Sequence, residues 1–232
     1  MSRTNRITLR RAAGIAGLAY VVLFQAANFP TGVGDKLYGQ HAAPGVVAWA
    51  SGHASLLHAV VLLDLLDDWL FALFVFALVA ITGSRSIAAA LGLIGVAAAE
   101  AIYAVIRGIQ YAVPQLAALP DGGIAAQAAV VIQANLVFTA QPLPLAIGLA
   151  AVGYLVARWG GLPKLFGLFA MLLAAIFAIS FPLRELAPGL GGFETVAAVG
   201  VLLWTAATSV ALLLPGRSPV AEPEPARVRV GA

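Results

Sequence analysis

The chain has 232 residues, 62% of them hydrophobic and 10% charged, with a mean hydropathy of +0.97 and a formal net charge of +3. Soluble domains are about 45–50% apolar and about 25% charged, so a water-soluble fold could not cover this much apolar surface, and the lipid bilayer is the expected partner. The sequence contains no cysteine, which excludes disulfides, thiolate metal sites, iron–sulfur clusters and cysteine nucleophiles; no Lys/Arg run with interleaved aromatics suggests nucleic acid.

A spanning helix needs about 20 mostly apolar residues. Residues 1–11 form a basic N-terminal segment with Arg3, Arg6, Arg10 and Arg11, followed by the first apolar run, Ala12–Phe29. This start resembles a secretory signal, but cleavage after Ala27 would put bulky Gln25 where a small residue is wanted. The run is therefore read as a retained spanning helix. Further spans are expected over Ala59–Ile81, Ile87–Tyr111, Pro142–Ala157, Leu165–Pro182 and Thr195–Leu214. The fourth is short, and the apolar, helical stretch Ile124–Gln141 before it either joins it as one long, tilted helix kinked at Pro142 and Pro144 or stays outside the crossing; the sequence leaves both open. Residues 215–232 are rich in Pro, Glu and Arg and read as a disordered tail.

The expected fold is thus an all-α, polytopic six-helix bundle over residues 12–214 with both termini cytoplasmic. With the N-terminus inside, Arg3, Arg6, Arg10, Arg11, Arg85, Arg158, Lys164, Arg217, Arg227 and Arg229 all fall on the cytoplasmic side. Only Lys36, Arg107 and Arg184 fall on the other, as the positive-inside rule requires. Small residues at helical spacing, Ala13 with Gly17 and Ala88 with Gly92 and Gly95, mark close helix packing.

Ionisable groups inside spans are costly and usually face the bundle interior or water. The second span carries Asp64, Asp67 and Asp68, and the third carries Glu100 and Arg107. Counting about 1.5 Å per residue, Asp67, Asp68 and Glu100 lie roughly 12–15 Å below the outer boundary, with Asp64 and Arg107 one layer shallower. The three aspartates share an arc of roughly 100°, and Glu100, Tyr103, Arg107 and Gln110 form a stripe of roughly 80°. His53 joins the aspartate face if the second helix begins near Val46; Trp69 lies off it. Gln25 and Asn28 on the first span, Gln127, Gln133, Asn135 and Gln141 before the fourth, and Arg184, Glu185 and Glu194 in a loop all belong to the same half. The inner halves of the spans read as almost purely apolar.

A polar chamber in the outer half follows. Four carboxyl groups and one guanidinium in a low-dielectric bundle cannot all carry charge without partners. Arg107 is expected to pair with one or two carboxylates, while at least one acid stays neutral. The chamber would bind or pass a small cationic or amphipathic molecule. In a competing reading, Asp67, Asp68 or Glu100 is the general acid of an intramembrane enzyme that isomerises or cyclises a lipid or isoprenoid. Tyr103 and Trp69 would then stabilise a carbocation. A third reading is a structural or regulatory partner of another membrane protein. The wider binding set is Asp64, Tyr103, Arg107, Gln110, His53, Gln25 and Trp69.

No metal or cofactor is expected. The run Asp64–Asp68 resembles the aspartate-rich motifs that hold Mg²⁺ and a diphosphate, but lacks the second acidic run such sites need. His53 and His58 point roughly 140° apart on a helix.

Three segments carry a family resemblance: Arg11-Ala-Ala-Gly-Ile-Ala-Gly-Leu-Ala-Tyr20, Gly161-Leu-Pro-Lys-Leu-Phe-Gly-Leu168, and Ala99-Glu-Ala101. On these the chain, over residues 9–214, resembles the small bacterial membrane proteins of domain-of-unknown-function family 4386. The resemblance implies six spans and no defined activity.

Overall fold

The computed structural model describes residues 3–28, 36–37, 43–159, 161–186 and 193–214. Among these the fold is all-α. Helix α1 covers Arg3–Asn28, α2 Ala43–Gly52, α3 Ala54–Thr82, α4 Ile87–Ala117 and α5 Gly122–Asn135; a π-helical turn over Leu136–Ala140 leads into α6, Pro142–Trp159, followed by α7, Lys164–Leu186, and α8, Phe193–Leu213. The expected tail over residues 215–232 lies outside the described residues.

Five helical stretches are long and apolar enough to cross a membrane: Ile7–Asn28, Ala54–Thr82, Ile87–Ala117, Gly122–Arg158 and Thr195–Leu213. The apolar part of α7, Lys164–Ser180, is shorter. Two boundaries differ from the sequence reading in ways that matter here. Helix α1 begins at Arg3, so its first basic residues belong to the helix itself. Helix α4 continues through Pro114 to Ala117. The stretch before Pro142 is helical up to a bend at Gln141, and Gly122–Arg158 is one candidate span of 37 residues. Proline has no N–H to donate and clashes with the preceding turn; here two prolines stand directly after a π turn, at the first and third positions of α6.

Local chemistry sets the turns. Gly83 ends α3 in the left-handed region at φ 65°, its N–H bonded to the Ala80 carbonyl, a conformation that glycine adopts without a Cβ penalty. Ser86 then caps α4, its hydroxyl accepting from the Ala89 N–H at 3.4 Å. Successive spanning helices run antiparallel. Gly95 packs on Gly148 and Gly92 on Val152 at the α4–α6 crossing. Tyr20 meets Phe71 on α3, and Gly14 meets Leu213 on α8. Arg10, Arg11, Arg85, Arg158 and Lys164 consequently collect at one end of the bundle, here called the basic end.

Two apolar clusters fill the interior. The larger, nearer the basic end, includes Phe74, Leu78, Val96, Leu149, Val152, Leu155, Leu173 and Trp204. The smaller, toward the far end, joins Ala27, Val46, Val47, Leu57, Val60, Val113, Ala126 and Val130. Leu62, Leu66, Trp69 and Leu73 form an exposed apolar stripe on α3, the face a lipid-embedded helix turns outward. Helix α4 has 31 residues, about 46 Å of helix against a hydrocarbon core of about 30 Å. The smaller cluster, at the end opposite the basic end, is called the cap.

Candidate functional site

Buried polar side chains lie between the two clusters. Counted from Thr82 at the basic end, Asp67 and Asp68 lie about 21–23 Å up α3, and Glu100 lies about 20 Å up α4 from Ile87. Asp64 and Arg107 lie higher, at about 27 Å and 30 Å. Spacings of three, four and seven residues bring Asp64, Asp67, Asp68 and Phe71 onto one face of α3, and Glu100, Tyr103 and Arg107 onto one face of α4.

Arg107 binds these faces together. Its Nη1 lies 3.0 Å from Asp64 Oδ2, and its Nε lies 3.5 Å from Asp68 Oδ2. The Arg107 and Asp64 side chains are only 5% and 2% exposed. Nη1 also donates to Gln110 Oε1 at 3.3 Å, and the guanidinium carbon stands 5.5 Å from the Tyr103 ring centre. Helix α1 adds Asn28, whose Nδ2 donates to Asp64 Oδ1 at 3.1 Å and to the Phe24 carbonyl at 3.1 Å. Asp64 and Asp68 are thus committed to a cation the chain itself supplies.

Other polar atoms in this layer are buried without a hydrogen-bond partner among the described residues: both oxygens of Asp67, Oε2 of Glu100, Nε2 of Gln141, and both amide atoms of Gln133. An unsatisfied buried donor or acceptor costs about 1–3 kcal/mol, so these groups make the layer costly to bury.

Beside it is a cavity of about 300 Å³. Its polar wall is built by Tyr20 and Asn28 of α1, Asp68 of α3, and Glu100, Tyr103 and Arg107 of α4, with Gln141 reaching in from the turn before α6. The opposite wall is mostly apolar: Val137 and Phe138 of the π turn, Pro142 and Leu145 of α6, Phe177 of α7, and Ala198, Val201 and Leu202 of α8. The π turn widens the helix where it borders the cavity, a location where such turns are frequent in functional sites.

Three residues of the sequence-derived binding set lie elsewhere. Gln25 is exposed on α1. Trp69 is 69% exposed on the outward face of α3, so it cannot offer its ring to anything held in the cavity. His53 is exposed and stands at the break between α2 and α3, with φ −129° and ψ 31°. Its Nδ1 lies 2.9 Å from the Trp49 carbonyl, and its ring stacks on Trp49. The break interrupts the helical phase that would have carried it onto the aspartate face. His58 stacks on Tyr111 and contacts that residue's carbonyl at 3.1 Å. Asn135 bonds back to the Val131 carbonyl, while the side chains of Arg184, Glu185 and Glu194 lie outside the described residues.

Sequence reasoning missed Tyr20, Phe24, Phe71, Val137, Phe138 and Phe177 as cavity residues. Tyr20 and Phe24 stand four and eight positions before Asn28, so the α1 stripe was available as a signal. It also missed Thr205, Thr208 and Ser209, which are fully buried on α8 toward the basic end, where the spans read as apolar. No family model matches the chain, and no curated protein or solved structure is significantly similar to it.

Proposed function

We infer that the protein is a six-span integral membrane protein, with both termini on the cytoplasmic side, that binds a small amphipathic molecule in the cavity. Membership of the family it resembles is part of this reading. The observation that carries it is the two-sided lining. Glu100 Oε2 and Gln141 Nε2, both without a partner among the described residues, border a space whose other side is formed by Val137, Leu145, Phe177, Val201 and Leu202. A ligand with a cationic or hydrogen-bonding head and an apolar body completes both sides. A cationic head is favoured because Asp64 and Asp68 already take up the Arg107 guanidinium, which leaves the Glu100 carboxyl group at the cavity with no cation of the chain's own among the described residues.

The test is native mass spectrometry of the protein released from its own membranes in a mild detergent, followed by identification of bound small molecules. Glu100→Gln should lower occupancy by roughly ten- to a hundredfold, the loss expected for one charge-assisted hydrogen bond of about 1.5–3 kcal/mol. A Glu100→Gln protein that folds and retains the same molecule at the same occupancy rejects the reading.

A second reading, an intramembrane enzyme, is favoured by the aromatic content of the same lining: Tyr20, Phe24, Phe71, Tyr103, Phe138 and Phe177 surround the space beside Glu100. Aromatic faces stabilise positive charge, so a proton donated by Glu100 to an alkene would leave a sheltered carbocation. Recovery of a rearranged isomer of the bound molecule after incubation, absent with Glu100→Gln, distinguishes catalysis from binding.

A further inference from the structure

Helices α1 and α8 lie side by side, and the space between them changes along their length. Toward the basic end they touch. A Cβ on Gly14 would lie 2.7 Å from Leu213 Cγ and 2.9 Å from the Ser209 carbonyl oxygen, and one on Gly17 would collide with Ser209 Oγ. Small residues let helices approach this closely in lipid. The seam there is sealed: Thr205, Thr208 and Ser209 are each 0% exposed, and their hydroxyls have no hydrogen-bond partner among the described residues.

Above Gly17 the same two faces part. The antiparallel register set by Gly14 with Leu213 and Gly17 with Ser209 brings Phe24 level with Leu202 and Asn28 level with Ala198. All four of these upper residues line the cavity. At about 100° per residue, Thr195, Ala198 and Leu202 share an arc of roughly 60° with Ser209. Yet Thr195 and Ala198 are exposed, whereas Ser209 is fully buried. On its other flank, at the level of Ala198, α8 stays tight against α7, where a Cβ on Gly200 would collide with Leu173 Cδ2. Toward the far end, Asn28, Asp64 and Arg107 form a bonded chain from α1 to α4. The gap therefore lies between α1 and α8, alongside Tyr20–Asn28 and Thr195–Leu202, about 10–12 Å along the axis.

Both stretches belong to helical runs apolar enough to cross a membrane, Ile7–Asn28 and Thr195–Leu213, so an opening at this level meets acyl chains. The cavity of about 300 Å³ is at the small end of the range of about 300–1,000 Å³ for small-molecule sites. It has room for a head and the start of a chain, and the rest of a longer chain needs an exit. We propose that the gap between α1 and α8 is a lateral slot that admits a cationic amphiphile from the bilayer, its head seated beside Glu100 and its alkyl chain passing between Phe24 and Leu202 into the surrounding lipid. The slot rests on the binding reading above and narrows the ligand to a molecule that resides in the membrane. The closed seam at Gly14 and Gly17 is its floor.

The chain contains no cysteine, so single cysteines can each carry one nitroxide label. Ala198→Cys is made in the full chain, with Val199→Cys, 49% exposed on the outward face of α8, as the lipid-facing reference. Each is labelled and reconstituted in lipid vesicles. Power saturation then compares collisions with oxygen, which concentrates in hydrocarbon, and with a water-soluble nickel chelate. The expected result is an Ala198 label that meets oxygen as readily as the Val199 label and loses its collisions with nickel. Nickel collisions in excess of oxygen collisions mean that the cavity opens to water, and exclusion of both reagents means that protein closes the gap; either overturns the slot. If Ala198→Cys fails to fold, Thr195→Cys, exposed on the same side of α8, is read in its place by the same criteria. Vesicles of the unaltered chain doped with an alkylamine bearing a diazirine at mid-chain test the occupant. Photolabel on Phe24, Ala198 or Leu202 supports it, and label confined to outward residues such as Leu66 and Val199 overturns it. Occupancy of the unaltered chain by mass spectrometry does not depend on the route of entry, so failure of the slot and failure of the binding reading are told apart.

Discussion

Arg107 on α4 and Asp64 on α3 form an ion pair, Nη1 to Oδ2 at 3.0 Å, at the level where the larger apolar cluster gives way to the cap. A lone charge there would be poorly solvated, and the surroundings supply the remaining bonds. Asn28 donates to Asp64 Oδ1 and Gln110 accepts from Arg107 Nη1. The pair thereby links three helices, α1, α3 and α4, along the polar wall of the cavity. Breaking a buried pair by removing one partner costs more than the pair contributes, because an uncompensated charge remains.

Arg107→Gln should therefore destabilise the detergent-solubilised protein by about 3–5 kcal/mol. Adding Asp64→Asn should recover part of that loss, so that the double variant is more stable than the sum of the singles. Thermal unfolding of the four proteins in a double-mutant cycle measures the coupling. Strict additivity would mean that the two side chains do not share an environment.

Asp67 presents the opposite case. It is 0% exposed, and neither carboxyl oxygen has a hydrogen-bond partner among the described residues. Asp67→Leu keeps the branched shape while removing the unsatisfied group, and should stabilise the protein by up to about 1–3 kcal/mol, less whatever the bulk of the two methyl groups costs in the packed interior. If ligand occupancy falls in the same variant, the aspartate is retained for function at the expense of stability. A loss of stability in Asp67→Leu would show instead that the carboxyl group has a structural partner.

Close helix approach gives a third prediction. A Cβ on Gly95 would lie 2.6 Å from the Gly148 nitrogen and 2.8 Å from the Pro144 carbonyl oxygen, both backbone atoms that cannot rotate away. A Cβ on Gly108 of the same helix would meet nothing within 4 Å. Gly95→Ala should separate α4 from α6 and lower the unfolding temperature. Gly108→Ala should raise stability by up to about 1 kcal/mol through helix propensity alone. Equal responses at the two positions would contradict the crossing.

Much of this arrangement was legible in the sequence because two periodicities carry it. Apolar runs mark the helices, and the spacing of Asp64, Asp67 and Asp68 against Glu100, Tyr103 and Arg107 identifies facing stripes at a shared depth. What stayed hidden depends on rotation and interruption. The π turn at Leu136–Ala140 has no fixed residue signature, and it sets which side chains before Pro142 enter the cavity. His53 was assigned to the aspartate face by extending one helix from Val46, whereas the break at Gly52–His53 resets the phase. Nothing in the sequence around Thr205, Thr208 and Ser209 distinguishes them from hydroxyls in an apolar helix that bond to their own backbone. That these do not is visible only in three dimensions.

The rotation of α3 can be tested without knowing any ligand. Trp69 is 69% exposed and lies next in the chain to Asp68, whereas Trp204 is 0% exposed and donates its Nε1 hydrogen to the Phe166 carbonyl at 2.9 Å. Consecutive residues on a helix are separated by about 100°, so an outward Trp69 requires the aspartates to turn toward α4. Two variants, each keeping one of these tryptophans and carrying Phe at the other three positions, are reconstituted in lipids brominated along the acyl chains. Trp69 emission should be quenched strongly, and Trp204 emission should change little. If Trp69 is shielded while Trp204 is quenched, α3 is rotated so that its carboxyl groups face hydrocarbon, and neither the ion pair nor the cavity beside it can exist as described.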